Sequence, residues 1–294
     1  MFYLVREIEK QKKNFQIDTS ISLMEEYNIP NVLSKKTDKV IVTIHTTLSA
    51  VKKEKNLYYN KRFLKLVYNN ADKVVVLSPY AKKDMEKNYG IKRNKLMVIP
   101  NAVIPRKFEN SIPWNYGDKV ILNVATIYQI KQQGILIDMM KDILKIIPDA
   151  KLLLVGYDKD EYANRLKKYV KKNNMEKNIF FIGLIRNVEY YMHHSQVFVM
   201  TSIFEGLPMA ILEAMNQGMP VISTDFVGPA RQLLGVSSKL EYGKYGIVVP
   251  KIDEKNKDEQ YYKNVQKLSR MVIKVLSNQD VMAKYSKASS VGIS

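Results

Sequence analysis

The sequence predicts an α/β protein of two doubly wound domains, and three observations predict it. Short apolar runs alternate with longer amphipathic stretches along the chain, the pattern of strands feeding helices around parallel sheets. Several of those runs are apolar at every position, as strands buried on both faces require. One stretch, from Pro100 to Gly117, breaks the alternation with three prolines and little periodicity, which marks a linker.

Taken in order, the predicted strands are Lys39–Ile44, Val74–Leu77, Leu96–Ile99, Val120–Val124, Leu152–Val155, Ile179–Ile182, Val197–Met200, Val221–Ser223 and Ile247–Val249. Helices fill most of the gaps. The domains are expected at 1–103 and 118–294, with the linker at 104–117. Only about four strands precede that linker, and the chain opens in a helical pattern, whereas an open α/β domain usually begins with a buried strand and a glycine-rich turn. The expectation is a first domain lacking its first βα units.

The 294 residues and 46% hydrophobic content provide for a substantial core. No cysteine is present, which excludes disulfides, thiol redox chemistry and thiolate metal sites and fits a cytoplasmic setting. Acids and bases enter within the first ten residues, so no signal-peptide core is read there, and no apolar run approaches the roughly 18 residues of a membrane span. Of the net charge of +18, half lies at residues 51–100, where 13 Lys or Arg face 4 Asp or Glu. Within that window Val51 to Tyr68 alternates apolar and basic positions at roughly helical spacing, giving an amphipathic helix with a cationic side. A solvated basic face and contact with the anionic inner face of a membrane both account for it. Nucleic acid ranks last, because no helix-turn-helix, RNP strand or zinc finger accompanies the charge.

The chemistry concentrates in Glu205-Gly-Leu-Pro-Met-Ala-Ile-Leu-Glu213. Pro208 suits the first helical position and Gly218 the position past the helix end, giving a helix over about 208–217. Met209, Ile211, Leu212, Ala214 and Met215 occupy most of its circumference, so the helix is expected to be buried with Glu213 inside it. Glu205 precedes the N-terminus, where free N–H groups favour negative charge. By spacing alone, a helix-end acid with a core hydrogen bonder and a ligand-binding pair remain equally good readings.

The segment from Phe204 to Asp225 resembles the signature of retaining, GT-B-fold glycosyltransferases of family 4, with its E-x7-E motif. Ala71–Ser78 through Leu96–Val103, Leu122–Lys131, Leu152–Gly156, Phe181–Gly183 and Tyr245–Pro250 resemble further passages of that family in the same order. The likeness extends from about residue 17 to 278. It implies two Rossmann-type domains facing across a cleft and a nucleoside-diphosphate sugar as donor. It also implies a hexose-type sugar transferred with retention to a glycan or lipid-linked acceptor, and neither cofactor nor metal ion.

Position by position, the resemblance implies that Glu205 contacts donor-sugar hydroxyls and that Glu213 holds the ribose. Backbone N–H groups at Met209 and Ala210, beyond Pro208, would face the diphosphate, Lys131 would neutralise it, and Gly206, Leu207 and Thr126 would complete the donor-binding set. His45 matches the histidine facing the donor sugar; read as an isolated strand-end residue it is more often structural, and its functional reading rests on the resemblance. Two positions depart from the pattern: Thr126 stands where an arginine is often found, and Gln132 where a glycine commonly follows the lysine. Arg186 and Arg231 are the candidates to replace the missing cation. His193 and His194 are expected only to meet a helix dipole. Asp158-Lys-Asp160 matches a metal-binding D-x-D superficially and is read as a loop. The alternative to an active transferase is a shortened relative that binds nucleotide sugar without turnover.

Overall fold

The computed structural model describes residues 1–51, 60–104, 113–237 and 241–291. It divides into two compact units: Met1–Ala102 with Phe204–Leu207 and Val227–Pro229, and Val103–Ile203 with Pro208–Phe226 and Ala230–Ser294. The two short segments counted with the first unit are not readable as such in the sequence. Most of the predicted linker, 105–112, lies outside the described residues.

The first unit opens with α1 (Phe2–Asn14), followed by β1 (Thr19–Leu23), α2 (Glu25–Leu33), β2 (Lys39–Ile44), α3 (Lys61–Asn70), β3 (Lys73–Val76), α4 (Pro79–Tyr89) and β4 (Leu96–Val98). Its sheet is parallel throughout, in the order β1-β2-β3-β4. Strand β1 is not among the strands that the sequence predicts. In register with β2 and β3, the side chains of Val40, Val42, Ile44, Val74, Val76 and Leu96 share one face. There they are buried with Ile29, Leu64, Val67, Ala81 and Met85 from α2, α3 and α4.

The opposite face corrects the expectation of strands buried on both sides. Ile21 is 63% exposed, Leu23 53% and Met97 42%, and none of them enters the buried cluster of this unit. Leaving such a side chain in water forgoes about 1.5–3 kcal/mol of burial. Among the described residues, then, the first sheet has one packed face and one largely open face, on which Val75 alone of the β3 residues is buried. Of the amphipathic helix expected over Val51 to Tyr68, the described residues carry the part from Asn60 onward. Asn60 accepts the Phe63 N–H at 3.0 Å and starts α3, while residues 52–59 lie outside the described ones. On α3, Lys61, Arg62, Lys65 and Leu66 are exposed and Leu64 and Val67 buried.

The second unit runs β5 (Val120–Val124), α5 (Gln133–Ile143), β6 (Lys151–Val155), α6 (Glu161–Lys172), β7 (Ile179–Gly183), α7 (Val188–His194), β8 (Val197–Met200), α8 (Met209–Asn216), β9 (Val221–Thr224), α9 (Ala230–Leu233), β10 (Ile247–Val249), α10 (Glu259–Ser277) and α11 (Gln279–Val291). Its six parallel strands lie in the order β10-β9-β8-β5-β6-β7. This sheet is covered on both faces. Ile121, Leu152, Leu154, Val197 and Val199 pack under α5, α6 and α10, whereas Val120, Leu122, Leu153, Phe198 and Met200 pack under α7 and α8. Strand order reverses between β5 and β8, and in open α/β sheets ligands bind beyond the strand C-termini at such a reversal.

Candidate functional site

Residues 125–132 leave β5 at that reversal. The Ala125 N–H donates to Val155 O (2.9 Å) and the Ile127 N–H to Tyr157 O (2.8 Å), which extends the β5–β6 pairing into the loop. Gly156 explains how the two backbones come so close: its φ is +146°, and a Cβ there would lie 2.1 Å from Ala125 O. A single turn of 3₁₀ helix, Gln129–Lys131, follows. The chain leaving β8 is bonded to it. The Ile203 N–H donates to Ile130 O (2.8 Å) and the Thr201 hydroxyl to Lys131 O (3.0 Å). Lys131 and Thr126 are therefore both held beyond the end of β5. Thr126 is exposed, and its carbonyl accepts from the Gln133 side chain (3.0 Å).

Helix α8 starts one residue later than predicted, with Pro208 as its N-cap. Its first intrahelical bond runs from the Ile211 N–H to Pro208 O (3.0 Å); the N–H groups of Met209 and Ala210 precede it, at the positive end of the helix dipole. The C-terminal end is as read, with Gly218 at φ +71° just past the cap residue Gln217. Glu213 corrects the expectation of a fully buried acid: it is half-buried, as are Met209, Ala210 and Leu212, while Ile211, Ala214 and Met215 carry the packing. The apolar circumference reflects a helix with its first turn open.

In the first unit, His45 follows β2, and its Nε2 lies 3.0 Å from the Thr43 hydroxyl. Thr47 donates its hydroxyl to the Glu205 carbonyl at 2.8 Å, and the Glu205 N–H donates to Val227 O at 3.0 Å. Gly206 comes against the same segment, where a Cβ would stand 2.1 Å from His45 O. His45 and Glu205 are thus close in the fold, although 160 positions separate them in the sequence. Leu207 is buried beside them.

The two arginines differ. Arg186 is exposed in the loop after β7. Arg231 bonds Asp225 through Nε (2.8 Å) and Ser237 O through a terminal nitrogen (3.0 Å), which ties its guanidinium to its own loop. The carboxylates of the D-x-D triplet have structural work: Asp158 pairs with Lys167 at 2.7 Å, and Asp160 caps α6 by accepting the Ala163 N–H at 2.8 Å.

His193 and His194 do more than meet a helix end. His194 Nδ1 lies 2.8 Å from Tyr190 O, and its ring stacks on Trp114 at 5.1 Å between centroids. Burial, and then the neighbouring His194, hold the His193 pKa below its ordinary value. Sequence reasoning also missed Gln132 and Asp138 as organising residues. A buried polar side chain inside an apolar helix was the available signal for Asp138. Among the described residues no helix is long and apolar enough to cross a membrane.

A family model described as "Glycosyl transferases group 1" matches residues 106–290, and one described as "Glycosyltransferase Family 4" matches residues 4–107. An uncharacterized glycosyltransferase of Methanocaldococcus jannaschii is 27% identical over 76% of this chain and 59% of its own length. The amylovoran biosynthesis glycosyltransferase AmsD of Erwinia amylovora is 31% identical over 76% of this chain and 61% of its own. The N-acetylgalactosamine-N,N'-diacetylbacillosaminyl-diphospho-undecaprenol 4-alpha-N-acetylgalactosaminyltransferase of Campylobacter jejuni is 27% identical over 79% and 64%. The chain spans about three-fifths of the length of these relatives.

Among solved structures, TarM superposes with a TM-score of 0.77 at 16% identity, covering 98% of this chain and 54% of that one. Anabaena HepE in complex with UDP superposes at 0.76 and 16%, covering 98% and 76%. The sucrose-phosphate synthase of Thermosynechococcus elongatus gives 0.77 and 18%, covering 98% and 72%. The fold is the two-domain GT-B fold.

Proposed function

We propose, from the premise that the chain belongs to the glycosyl transferases group 1 family, that it moves a hexose-type sugar from a nucleoside-diphosphate sugar, with retention, to a glycan or lipid-linked acceptor. The observation that carries this reading is the bonded pair of loops at the β5/β8 reversal, where Thr201 and Ile203 hold the turn bearing Lys131. A lysine whose backbone is fixed beyond the strand ends is suited to a diphosphate whose negative charge grows as the glycosidic bond breaks. The open first turn of α8 supplies Met209 and Ala210 N–H groups for the same anion, and the half-buried Glu213 is able to accept two hydrogen bonds from vicinal ribose hydroxyls. Glu205 stabilises positive charge developing on the sugar, and His45 holds its hydroxyls.

The acceptor hydroxyl attacks the anomeric carbon on the face from which the diphosphate leaves, and a departing phosphate oxygen takes its proton. This scheme asks for no divalent ion. Arg186, exposed beyond β7, is the better replacement for the missing cation at Thr126, since Arg231 is bonded to Asp225. The relatives AmsD, an amylovoran biosynthesis glycosyltransferase, and the Campylobacter jejuni enzyme, named for a diphospho-undecaprenol, support the acceptor class, and HepE in complex with UDP supports the donor class. The exposed Lys61, Arg62, Lys65 and Leu66 on α3 fit peripheral contact with an anionic membrane from the cytoplasmic side. A second reading, donor binding without turnover, is favoured by the largely open face of the first sheet.

The test is a thermal-shift and calorimetric panel of uridine-, guanosine- and adenosine-diphosphate sugars. One donor class is expected to bind, with Lys131→Ala weakening it about tenfold or more, as loss of a charge-assisted contact should. Failure of every donor to bind would reject the reading.

A further inference from the structure

Gln132 is one of four non-glycine residues at positive φ among the described residues, with φ 50° and ψ 45°. That left-handed conformation disfavours a residue with a Cβ. Its side chain is buried, and its polar atoms account for its presence there. Nε2 donates to Thr201 O (3.0 Å) and to Ile252 O (3.0 Å), and Oε1 accepts the Glu254 N–H (2.9 Å). Both amide donors are used, and neither acceptor carbonyl belongs to its own loop. Its backbone carbonyl accepts the Thr201 hydroxyl as well (3.1 Å).

These bonds join three chain segments: the turn after β5, the exit of β8 at Thr201, and the exit of β10 at Ile252 and Glu254. Glu254 is fixed in turn, because its carboxylate accepts from the Tyr162 hydroxyl (2.5 Å) and sits where a Cβ on Gly134 would be. Glycine would take the backbone conformation without strain, but it would leave two buried carbonyls and one N–H without this partner. Glutamate would set an acceptor against two carbonyls. Asparagine tolerates the left-handed region but is one methylene too short to span the three partners. Glutamine alone among these suits both the backbone and the gap.

We infer that Gln132 is a positioning residue for Lys131: its amide ties the Lys131 turn to the exits of β8 and β10 and so pre-sets where the lysine meets the donor diphosphate. This rests on the donor reading of Lys131 given above. A lysine side chain is long and mobile, so a fixed backbone immediately beside it restricts the positions its ammonium samples.

The experiment compares wild type, Gln132→Asn, Gln132→Ala, Lys131→Ala and the Lys131→Ala/Gln132→Ala pair. Each is titrated with UDP and uridine, GDP and guanosine, and ADP and adenosine, the nucleosides by ligand-observed NMR and the diphosphates by calorimetry. For the pair that binds, Gln132→Asn and Gln132→Ala are expected to weaken the diphosphate about tenfold while leaving the nucleoside within about twofold, and the double variant to lose no more than Lys131→Ala alone. Equal weakening of nucleoside and diphosphate would assign Gln132 to the fold and overturn the inference, as would an unchanged diphosphate affinity. If Lys131→Ala weakens the diphosphate and Gln132→Asn does not, this inference fails and the donor reading stands. If Lys131→Ala has no effect, or no diphosphate binds, the donor reading itself fails and the inference with it. Asparagine, tolerant of the same backbone, guards against misreading an unfolded alanine variant.

Discussion

Asp138 on α5 accepts from the Lys257 ammonium at 2.6 Å, and this ion pair joins α5 to the chain entering α10. The Tyr261 hydroxyl donates to the same carboxylate oxygen (2.6 Å), the Tyr169 hydroxyl to the other (2.6 Å), and Lys141 stands 3.2 Å away. Four groups thus converge on one acid that is almost fully enclosed.

A pH dependence of stability follows. Burial acts to raise the Asp138 pKa, but the hydrogen bonds from Lys257, Tyr169 and Tyr261 outweigh it and hold the group below its ordinary value. A carboxylate lowered in the folded state contributes stability that is fully present above its unfolded pKa of about 3.9 and lost as pH falls through the folded value. Asp38, where burial is likewise outweighed by the contact with Lys12, acts in the same direction. Resistance to thermal denaturation should therefore weaken steadily from about pH 5 downward. Asp138→Asn should flatten part of that acid limb while costing about 3 kcal/mol at neutral pH, the lower end for breaking a buried pair, because Lys257 is itself only part-buried. Glu254 has the opposite sign: burial lifts its pKa, so its contribution is present in acid and declines as pH rises. An acid limb unchanged in Asp138→Asn would count against this assignment.

Gly156 should not tolerate a side chain. Its φ of +146° and the 2.1 Å that would separate an added methyl from Ala125 O combine strain with a backbone clash. Gly156→Ala is expected to destabilise the second unit by about 3 kcal/mol or more, read by denaturant unfolding. A loss below about 1 kcal/mol would show that the β5 and β6 exits separate easily.

The largely open face of the first sheet makes a surface prediction. Exposed Ile21 and Leu23 lie on β1, an edge strand with no charged residue, and edges of that kind invite association. The wild type should bind a hydrophobic dye and self-associate with rising concentration. Ile21→Lys with Leu23→Lys should reduce both, with stability changed by no more than about 0.5 kcal/mol. Dye binding unaffected by the two lysines would place the apolar surface elsewhere.

Trp114, the only tryptophan, packs edge-on against Tyr116, Tyr190 and Tyr191 as well as stacking on His194. It anchors the chain entering β5 onto α7. Trp114→Ala should cost about 1–2 kcal/mol, less than a fully buried aromatic truncation because the ring is only part-buried, whereas Trp114→Phe should retain most of that. Equal losses in the two variants would point to the Nε1 bond to Gly117 O as the anchor.

Much of this was legible in the sequence, for identifiable reasons. Strands such as Val197–Met200 are apolar at every position because both faces of the second sheet are covered. Strand β1 escaped notice because Thr-Ser-Ile-Ser-Leu meets its covered face with serines: Ser20 bonds Asn31 and Asp38, and Ser22 bonds Asn28, where an apolar residue would have announced a strand. The α8 boundaries followed from Pro208 and Gly218 to within a residue. The half-burial of Glu213 did not, since residue types alone do not reveal which helical turn is left open. Gln132 registered only as a departure from a family pattern, because nothing local in a glutamine announces a left-handed backbone whose compensating partners lie 69, 120 and 122 positions away.

The central claim is sugar transfer, and its most direct measurement is nucleoside-diphosphate release from each donor by the wild type and by Glu205→Gln, with product anomeric configuration read by proton NMR. The proposed function predicts release from one donor class by the wild type, a retained anomeric configuration, and a rate at least about 100-fold lower in Glu205→Gln with donor binding preserved, as removal of charge stabilisation in a transition state produces. A wild type no faster than Glu205→Gln on every donor it binds would contradict it and leave a nucleotide-sugar-binding relative.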